Sequence, residues 1–427
     1  MPRVETGERL VAAVRRLVAD LFPGGPPFAL RLWNGETIAP ATGAPRAGVW
    51  VRDPRALARL LEDPPDLALG EAYVAGELEV EGDLEALLGA LERAAPALSP
   101  ARLARAPKDA ALLRRELSRP GLAARLRGRL HTKARDRQAI RHHYDVGNAF
   151  FALWLDRWMV YSCAYFPEGD EDLDAAQEKK LRHTLKKLRL KPGEHLLDIG
   201  SGWGGLGIFA ARNFGVWVTG ITLAEEQVGF ANAWARREGL SDRVRFLLED
   251  YRDHRGTYDK LVSVGMAEHV GRPMLPRYFR AAYDRLRPGG LFLHHVITRG
   301  PVPSRFGGAL ATGEFLKRYV FPDGEILYLW EHLKAAEEAG FEVRDVEDWR
   351  EHYAKTLRHW VKRLGDRWDE AVALVGEGRA RVWKLYMSVA AYQFAAGHLS
   401  IHQVLLARPD AEGRVPLPPS RADLYAG

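Results

Sequence analysis

Between Lys191 and Thr298, short apolar stretches alternate with amphipathic ones, and this alternation restricts the fold more than any other feature of the chain. The stretches typical of strands are HLLDIG, VWVTGIT, VRFLLED, YDKLVSVG and LFLHHVIT. Those typical of helices are GGLGIFAARNFG, AEEQVGFANAWARREG and LPRYFRAAYDRL. A strand and a helix that alternate about every 20 to 25 residues predict an α/β fold with a doubly wound parallel sheet.

A glycine-rich turn joins the first of these strands to the helix that follows it. In DIGSGWGG, Gly200, Gly202 and Gly205 form the pattern G-x-G-x-x-G. Small residues here let the backbone approach a nucleotide, and the N-terminus of the next helix follows directly. The pattern alone is compatible with a nicotinamide dehydrogenase, with an S-adenosylmethionine methyltransferase, and with a purely structural turn.

The ends of the second and third strands favour an adenosyl ligand. A dinucleotide site usually ends its second strand in an acid that binds the ribose hydroxyls. Here the strand ends in Thr222, and Glu225 and Glu226 already belong to the next helix. The third strand leads into EDYRD, where Asp250 and Tyr251 are suited to hold an adenine by hydrogen bonding and stacking.

The fourth and fifth strands carry residues capable of acid–base chemistry. Glu268 follows the fourth strand and is expected at the carboxyl edge of the sheet, where doubly wound folds bind ligands. The alternative is a helix cap or a surface acid. Alternation directs His294 and His295 to opposite faces of the fifth strand, so only one of them can face the pocket. A glutamate and a histidine on adjacent strand ends together indicate a catalytic site.

Composition limits the remaining function classes. The single cysteine, Cys163, excludes a disulfide framework and a cysteine zinc site, and no histidine pair has the spacing of a helical zinc site, so no metal is expected. The N-terminus lacks the apolar core of a signal peptide, and no run approaches the ~18 apolar residues of a bilayer span. These features predict a cytoplasmic protein.

The net charge of +6 is unevenly distributed. Residues 101–143 contain 13 Lys and Arg against 3 Asp and Glu, a local net charge of +10 that leaves about −4 for the rest. Such a segment is either a solvated helix and linker or a surface for an anionic partner, phospholipid headgroups or nucleic acid. The absence of a nucleic-acid-binding motif argues against nucleic acid.

The chain is expected to form two domains. Residues 1–130 mix strand-like stretches, FALRLW and GVWV, with amphipathic helices, PRALARLLED and DLEALLGALERAA, and end in a basic linker interrupted by prolines. Residues 131–427 contain the alternating pattern, and 310–427 are predicted to be mostly helical.

From about Ala139 to the C-terminus, the chain resembles the cyclopropane-fatty-acyl-phospholipid synthases. The motifs occur in the family's order and spacing: IRHHYDVGNAFFALWLDRWMVYSCAYF, LDIGSGWGGLGIFAA, GITLAEEQ, VSVGMAEHVG, FLKRYVFPDGEI and HYAKTLRHW. GEAYVAGELEVEGDLEALL is similar to the family's smaller leading domain. The resemblance implies a Rossmann-like class I methyltransferase domain with helical additions, preceded by a smaller mixed α/β accessory domain that docks on lipid.

The resemblance also implies an activity and its residues. These enzymes transfer the methyl group of S-adenosylmethionine to the double bond of an acyl chain in a membrane phospholipid, and a carbocation then loses a proton to a bound bicarbonate ion. The implied bicarbonate cage is Cys163, Glu268, His295, Tyr353 and the backbone at Ile297. The implied cofactor-binding residues, including the adenine-binding pair proposed above, are Tyr161, Ser162, Leu197, Asp198, Gly200, Ser201, Gly202, Trp203, Gly204, Gly205, Thr222, Leu223, Gln227, Asp250, Tyr251 and Arg252. Such an enzyme is cytoplasmic and peripheral at the inner membrane face, and it is compatible with a homodimer.

Cys163 has alternative roles on this interpretation. The resemblance favours a contact to the bound anion through its backbone N–H and thiol, over simple packing and over covalent chemistry. Ala390 stands where some relatives have a second cysteine, so thiol chemistry at that position is excluded.

Several positions depart from the family's pattern. Ser201, Ala267 and Val296 replace the usual cysteine, phenylalanine and threonine, and an additional acid, Glu351, precedes Tyr353 by two residues. We hypothesise that Glu351 projects into the site and takes over part of the bicarbonate's role. The product would then be a methylene branch, which a separate reductase would convert into a methyl branch. The alternative is an acid on the surface of a helix.

Two further functions remain open from the sequence. A small-molecule N-methyltransferase on the same scaffold would methylate soluble amines without vesicles. A non-enzymatic lipid-binding protein would not bind S-adenosylmethionine, which is hard to reconcile with the glycine turn together with Glu268, His295 and Tyr353.

Overall fold

The computed structural model describes residues 2–41, 46–62, 64–94, 121–144, 146–303 and 313–425, which form two compact units. The first unit consists of Met1–Ala124, Val302–Val320 and Trp368–Gln393. The second consists of Arg125–Pro301, Phe321–Arg367 and Phe394–Gly427. The first boundary lies near the one expected after residue 130, but two segments expected in the catalytic domain belong to the first unit. Much of the basic segment 101–143 lies outside the described residues.

The first unit contains a four-stranded sheet flanked in sequence by helices. The strands are β1 (Ala29–Arg31), β2 (Thr37–Ile38), β3 (Ala47–Val51) and β4 (Leu78–Gly82), in the order β2-β1-β3-β4. β1 and β3 are parallel, and the other neighbours are antiparallel. Its described helices are Pro2–Leu21, Arg55–Glu62, Pro65–Val74, Leu84–Ala94, Glu314–Tyr319, Trp368–Val375 and Glu377–Ala395, whose last residues fall in the second unit. The strands and helices predicted from the N-terminal stretches are confirmed.

The second unit is built on a seven-stranded sheet in the order β10-β11-β9-β8-β5-β6-β7. Neighbours among β5 to β9 are parallel, as predicted, whereas β11 is antiparallel to both β9 and β10. The strands are β5 (His195–Ile199), β6 (Trp217–Thr222), β7 (Val244–Leu248), β8 (Tyr258–Val264), β9 (Leu286–Arg299), β10 (Glu342–Asp348) and β11 (Leu399–Ala407). The sheet is therefore mixed, and the predicted helical character of 310–427 was wrong for β10 and β11.

Apolar residues cover both faces of this sheet. Alternate residues of one strand point to opposite faces, so Leu196 joins one buried cluster and Leu197 the other. Burial on both faces explains why β5, β6 and β8 are short, largely apolar runs in the sequence. The helices of this unit are Lys133–Tyr144, Asn148–Phe151, Leu173–Lys187, Gly205–Phe214, Glu225–Arg237, Leu275–Arg285, Leu329–Glu338, Arg350–Asp366 and Ala422–Tyr425, with short 3₁₀ turns at Ala267–His269 and Arg272–Met274. In the described part of the chain, no helix combines the length and apolarity of a bilayer span.

Candidate active site

A cavity lies at the carboxyl ends of β5 and β6, where the glycine-rich turn begins the helix Gly205–Phe214. The turn is held by its backbone, because the N–H groups of Gly200 and Ser201 donate to the carbonyl of Ile221 at 2.9 and 3.0 Å. Gly200 has a φ of +87°, which favours glycine. A Cβ at Gly205 would lie 2.0 Å from the Trp158 carbonyl oxygen, so close backbone packing also requires glycine there.

Most of the predicted cofactor residues line this cavity. Leu197 and Gly204 do not. Leu197 lies in an apolar cluster of the sheet, and a Cβ at Gly204 would lie 2.7 Å from the Phe246 ring, so both positions serve packing. The predicted residues that line the cavity are Tyr161, Ser162, Asp198, Gly200, Ser201, Gly202, Trp203, Gly205, Thr222, Leu223, Gln227, Asp250, Tyr251 and Arg252.

The end of β6 presents polar groups to the cavity. The Thr222 hydroxyl donates to Oε1 of Gln227 at 2.9 Å and accepts from the N–H of Ala224 at 3.3 Å. Nε2 of Gln227 and Oγ of Ser201 are buried and have no hydrogen-bonding partner among the described residues. Such atoms are costly unless a ligand or water satisfies them, so they fit a polar ligand in the cavity.

The turn after β7 is organised by an ion pair. The Arg252 guanidinium donates to both carboxylate oxygens of Asp250 at 2.8 and 2.6 Å, and to Oδ2 of Asp136 at 2.8 Å. These bonds raise the pKa of Arg252 above its usual value. Sequence reasoning missed Asp136, which lines the cavity from the helix Lys133–Tyr144, because a single acid in a basic helix gives no signal.

Lys180 is a second cavity residue that the sequence did not reveal. Its side chain is 1% exposed, and Nζ donates to Oγ of Ser162 at 2.8 Å. Burial lowers the pKa of Lys180 to about 8, an effect that Cys163, Asp156 and Asp198 oppose. Burial also raises the pKa of Asp198, at the end of β5, to about 7. A lysine in an amphipathic helix is usually exposed, so nothing in the sequence predicted this position.

Glu268 lies in a buried 3₁₀ turn directly after β8. Its Oε1 accepts a hydrogen bond of 2.8 Å from the backbone N–H of Ile297. Oε2 is buried and has no partner in the described ranges. Burial raises the pKa of Glu268 to about 7, against the effect of the backbone hydrogen bond. Near neutral pH this carboxyl group can therefore exist in both protonation states, as acid–base catalysis requires.

His295 and His294 face opposite sides of the sheet, as predicted. His295 contacts the Trp349 ring and Nε2 of Gln403, whereas His294 lies 3.3 Å from both Tyr278 Oη and His332 Nδ1. Burial, together with the cations of Lys180 and Lys187, holds the pKa of His295 well below its usual value. Nε2 of His295 is buried without a partner among the residues described.

The Cys163 thiol is fully buried and lies 3.2 Å from the carbonyl oxygen of Ala164 and 3.8 Å from that of Trp349. Burial raises the pKa of the thiol far above its usual value. Because the thiolate is the nucleophilic form, this environment does not suit covalent chemistry.

Tyr353 and Glu351 lie on different faces of the helix Arg350–Asp366. Tyr353 is buried, and its ring packs against Phe394 with centroids 4.7 Å apart. Glu351 has a side chain that is 72% exposed and pairs with Arg350. The hypothesis that Glu351 projects into the site was wrong, since its side chain is exposed and residues two apart on a helix point about 160° away from each other.

Comparisons with known proteins identify the family. A family model described as mycolic acid cyclopropane synthetase matches residues 131–404, and a domain of unknown function (DUF7884) matches residues 16–99. The chain is 42% identical over 403 residues to a probable fatty acid methyltransferase of Pseudomonas putida. The alignment covers 93% of this chain and 96% of the relative. It is 37% identical over 268 residues to the cyclopropane-fatty-acyl-phospholipid synthase of Escherichia coli K12. This alignment covers 63% of this chain and 67% of the relative.

The solved structures agree with these relatives. The crystal structure of the mycolic acid cyclopropane synthase CmaA1 complexed with SAH and CTAB matches with a TM-score of 0.61 and 31% identity, covering 64% of this chain and 98% of that chain. The predicted Rossmann-like methyltransferase fold is thereby confirmed. Because the family model covers more than half of the sequence, the chain belongs to the mycolic acid cyclopropane synthetase family, which confirms its resemblance to the cyclopropane-fatty-acyl-phospholipid synthases.

Proposed function

We propose that this protein is an S-adenosylmethionine-dependent methyltransferase that acts on the double bonds of unsaturated acyl chains in membrane phospholipids and forms cyclopropane rings. One observation carries the proposal. Glu268 lies in a loop whose neighbouring residues, Met266 and His269, line the nucleotide cavity, so a buried acid–base group adjoins the cofactor site. The names of the relatives support a lipid substrate.

The cavity fits the cofactor. S-adenosylmethionine supplies an electrophilic methyl group when it is bound. The glycine turn admits a ligand close to the backbone, and Ser201 Oγ and Gln227 Nε2 offer buried polar atoms to it. Tyr251, which also lines the cavity, offers an aromatic ring on which an adenine can stack.

The buried polar groups also fit a small oxyanion, and bicarbonate is the proposed one. When bound, bicarbonate supplies the base for the final proton loss. Glu268 and His295 would hold it through their unpartnered atoms, Oε2 and Nε2. A protonated Glu268 donates a hydrogen bond, which avoids placing two bare anions together.

The remaining residues of the implied cage would act less directly. The Ile297 N–H already donates to Glu268, so it orients that carboxyl group. In the proposal, Cys163 contributes its backbone N–H, and Tyr353 contributes its hydroxyl and its ring.

An alkene is a weak nucleophile, and the cation that it forms is trapped by water. The site must therefore align the double bond with the methyl donor and exclude solvent. Cys163, His295 and Trp349 are at most 1% exposed, which supports a dry site. The face of an aromatic ring such as that of Tyr353 stabilises a nearby cation by roughly 0.5–2 kcal/mol.

The proposed location is cytoplasmic and peripheral at the inner membrane face, with basic residues of 101–143 contacting anionic headgroups. A homodimer is part of this proposal. Salt screens exposed charges, so binding to phosphatidylglycerol vesicles is expected to weaken as ionic strength rises. Vesicle pelleting that does not change with salt would exclude this role for the basic segment.

Proton NMR of the lipid product tests the activity. Purified protein is incubated with S-adenosylmethionine and dioleoyl phosphatidylglycerol vesicles, and the lipid is recovered. The expected result is upfield ring-methylene signals. Exomethylene signals would instead identify the protein as the methylene-forming alternative. Glu351 does not support that alternative, because its side chain is exposed. Methylation of soluble amines but not of vesicle lipids would identify an N-methyltransferase. If the protein shows no turnover and does not bind S-adenosylmethionine, the non-enzymatic lipid-binding alternative is supported.

A further inference from the structure

Gln403 is a fully buried amide on β11, and it lies directly opposite His295 in the register of β9 and β11. Its Nε2 donates to Nδ1 of His295 at 3.1 Å and to Oγ1 of Thr184 at 2.9 Å. Thr184 is itself buried, in the helix Leu173–Lys187. The amide is therefore fixed between a helix and the ring of a site histidine.

With the amide nitrogen of Gln403 facing Nδ1, this contact assigns the proton of His295 to one ring nitrogen. An Nδ1 that accepts a hydrogen bond has no proton of its own, so the neutral ring has its proton on Nε2. Nε2 is the atom that is buried without a partner in the described part of the chain. An N–H at this position is a hydrogen-bond donor reserved for a ligand or water.

The surroundings of His295 also oppose a second proton. The charged and titratable groups that act on the ring are Lys180, Lys187, His402 and Glu347, and only Glu347 favours a positive charge. Glu347 is already paired with Lys187 and His183. A proton on Nδ1 would in addition set two donors, that N–H and the Gln403 amide, against each other.

We infer that Gln403 is a positioning residue that keeps the proton of His295 on Nε2, so that His295 donates a hydrogen bond to the oxyanion and does not act as the base. The inference rests on the proposed function for the identity of the anion. The position of the ring proton follows from the Gln403 amide, whose nitrogen faces Nδ1 and whose Oε1 is buried without a partner among the described residues.

The decisive experiment is long-range ¹H–¹⁵N NMR of the full-length protein labelled with ¹⁵N-histidine. The His295 signals are assigned by their absence in His295→Gln. In the wild type we expect a protonated Nε2 and a bare Nδ1, with no imidazolium between roughly pH 6 and 8. On addition of sodium bicarbonate, we expect the Nε2 signal to shift in a saturable manner. A proton on Nδ1 in the wild type would overturn the inference, as would an Nε2 signal that bicarbonate does not move.

Variants of Gln403 separate positioning from packing. Gln403→Glu keeps the shape but replaces the amide donor with an acceptor, so we expect it to draw the proton to Nδ1 and to lower kcat by about 10- to 100-fold. Gln403→Met removes the donor, and we expect a mixture of the two ring forms and a weaker bicarbonate shift. An unchanged proton position in both variants would contradict the role of Gln403.

Asn232→Leu is the matched control. Asn232 is an amide that bonds the backbone of Phe246 on β7 at 2.8 and 3.1 Å and does not line the cavity. We expect this variant to lose stability without a change in the His295 signals. The wild-type spectrum also separates the two proposals: the expected ring form without lipid turnover would reject the proposed function, whereas lipid turnover with a protonated Nδ1 would reject the inference.

Discussion

Each unit of this protein contains a buried cluster with charged or titratable side chains, and a comparison of one cluster from each unit shows a difference in how these groups are partnered. In the first unit, Arg59 is 1% exposed and donates to Glu77 at 2.6 and 3.0 Å and to Glu71 at 3.1 Å. The Tyr319 hydroxyl donates a further hydrogen bond of 2.7 Å to Oε1 of Glu71. In the second unit, Glu268 and His295 are also buried, yet each keeps one polar atom without a partner among the described residues.

We interpret this difference as one between a structural cluster and a candidate binding site. Buried polar groups are normally hydrogen-bonded, and a paired cluster such as that of Arg59 has no capacity left for a ligand. An unpartnered buried atom is destabilising unless something else satisfies it. In the proposed function, Glu268 Oε2 and His295 Nε2 bind an anion, and we therefore expect substitutions in the two clusters to affect different properties.

Glu268→Gln is expected to have the largest effect, and on activity. The amide keeps the shape of the carboxyl group and can still donate a hydrogen bond, but it cannot take up or release a proton when the bound anion does so, and kcat should therefore fall by about 10³-fold. The free energy of unfolding should not fall, because the variant removes a poorly solvated acid. Initial rates of methyl transfer to vesicles and urea denaturation measure the two quantities. If the variant instead loses stability and keeps the wild-type rate, Glu268 has a structural role like that of the Arg59 cluster.

Arg59→Met is expected to have the largest effect on stability. It removes the buried cation from two buried carboxylates, Glu71 and Glu77, which retain the more distant and partly exposed Arg318 at 3.4 Å and Arg55 at 3.9 Å. The free energy of unfolding should fall by about 3–5 kcal/mol. Arg15→Met is the matched control in the same unit, since the Arg15–Glu36 pair is exposed to solvent and should contribute little to stability. Urea denaturation of both variants tests this, and equal losses would contradict the distinction between buried and exposed pairs.

The pH dependence of the free energy of unfolding provides a second test of Glu268. Burial raises the pKa of Glu268 from 4.5 to about 7, so the folded protein binds this proton more tightly than the unfolded chain. The resulting stabilisation is complete below pH 4.5 and is lost as the pH rises through 7. Relative to Glu268→Gln, the wild type should lose about 3 kcal/mol of unfolding free energy over that range. A constant difference between the two proteins would show that Glu268 is not a buried titrating acid.

The smallest effect is expected at Glu351. This acid is exposed and pairs only with the adjacent Arg350 among the described residues, so Glu351→Gln should leave stability unchanged within about 0.5 kcal/mol. The rate and the NMR spectrum of the lipid product should also be those of the wild type. A changed product would show that Glu351 acts in the active site and would contradict its outward orientation.

The sequence was informative where local pattern and chemistry coincide. The strands around Gly200 and the acid at Glu268 were predicted because apolar runs, glycine turns and strand-end acids are local signals. β10 was missed because its sequence, EVRDVED, is largely charged, and β11 because an apolar run can be a strand or a helix.

Other features depend on contacts between distant parts of the chain. Gln403 lies 108 residues from His295 in sequence, and only the pairing of β9 with β11 brings the two together. The burial of Lys180 and the outward direction of Glu351 depend likewise on how their helices pack. Motif matching placed Glu351 beside Tyr353 in sequence, but the helical period separates the two side chains.

We propose that the unpartnered atoms of Glu268 and His295 bind an oxyanion that the reaction needs. The most direct test is the rate of methyl transfer to dioleoyl phosphatidylglycerol vesicles in buffer freed of carbon dioxide, before and after addition of sodium bicarbonate. We predict a low rate that bicarbonate restores in a saturable manner in the wild type and not in Glu268→Gln. A wild-type rate that is the same with and without bicarbonate would contradict the claim.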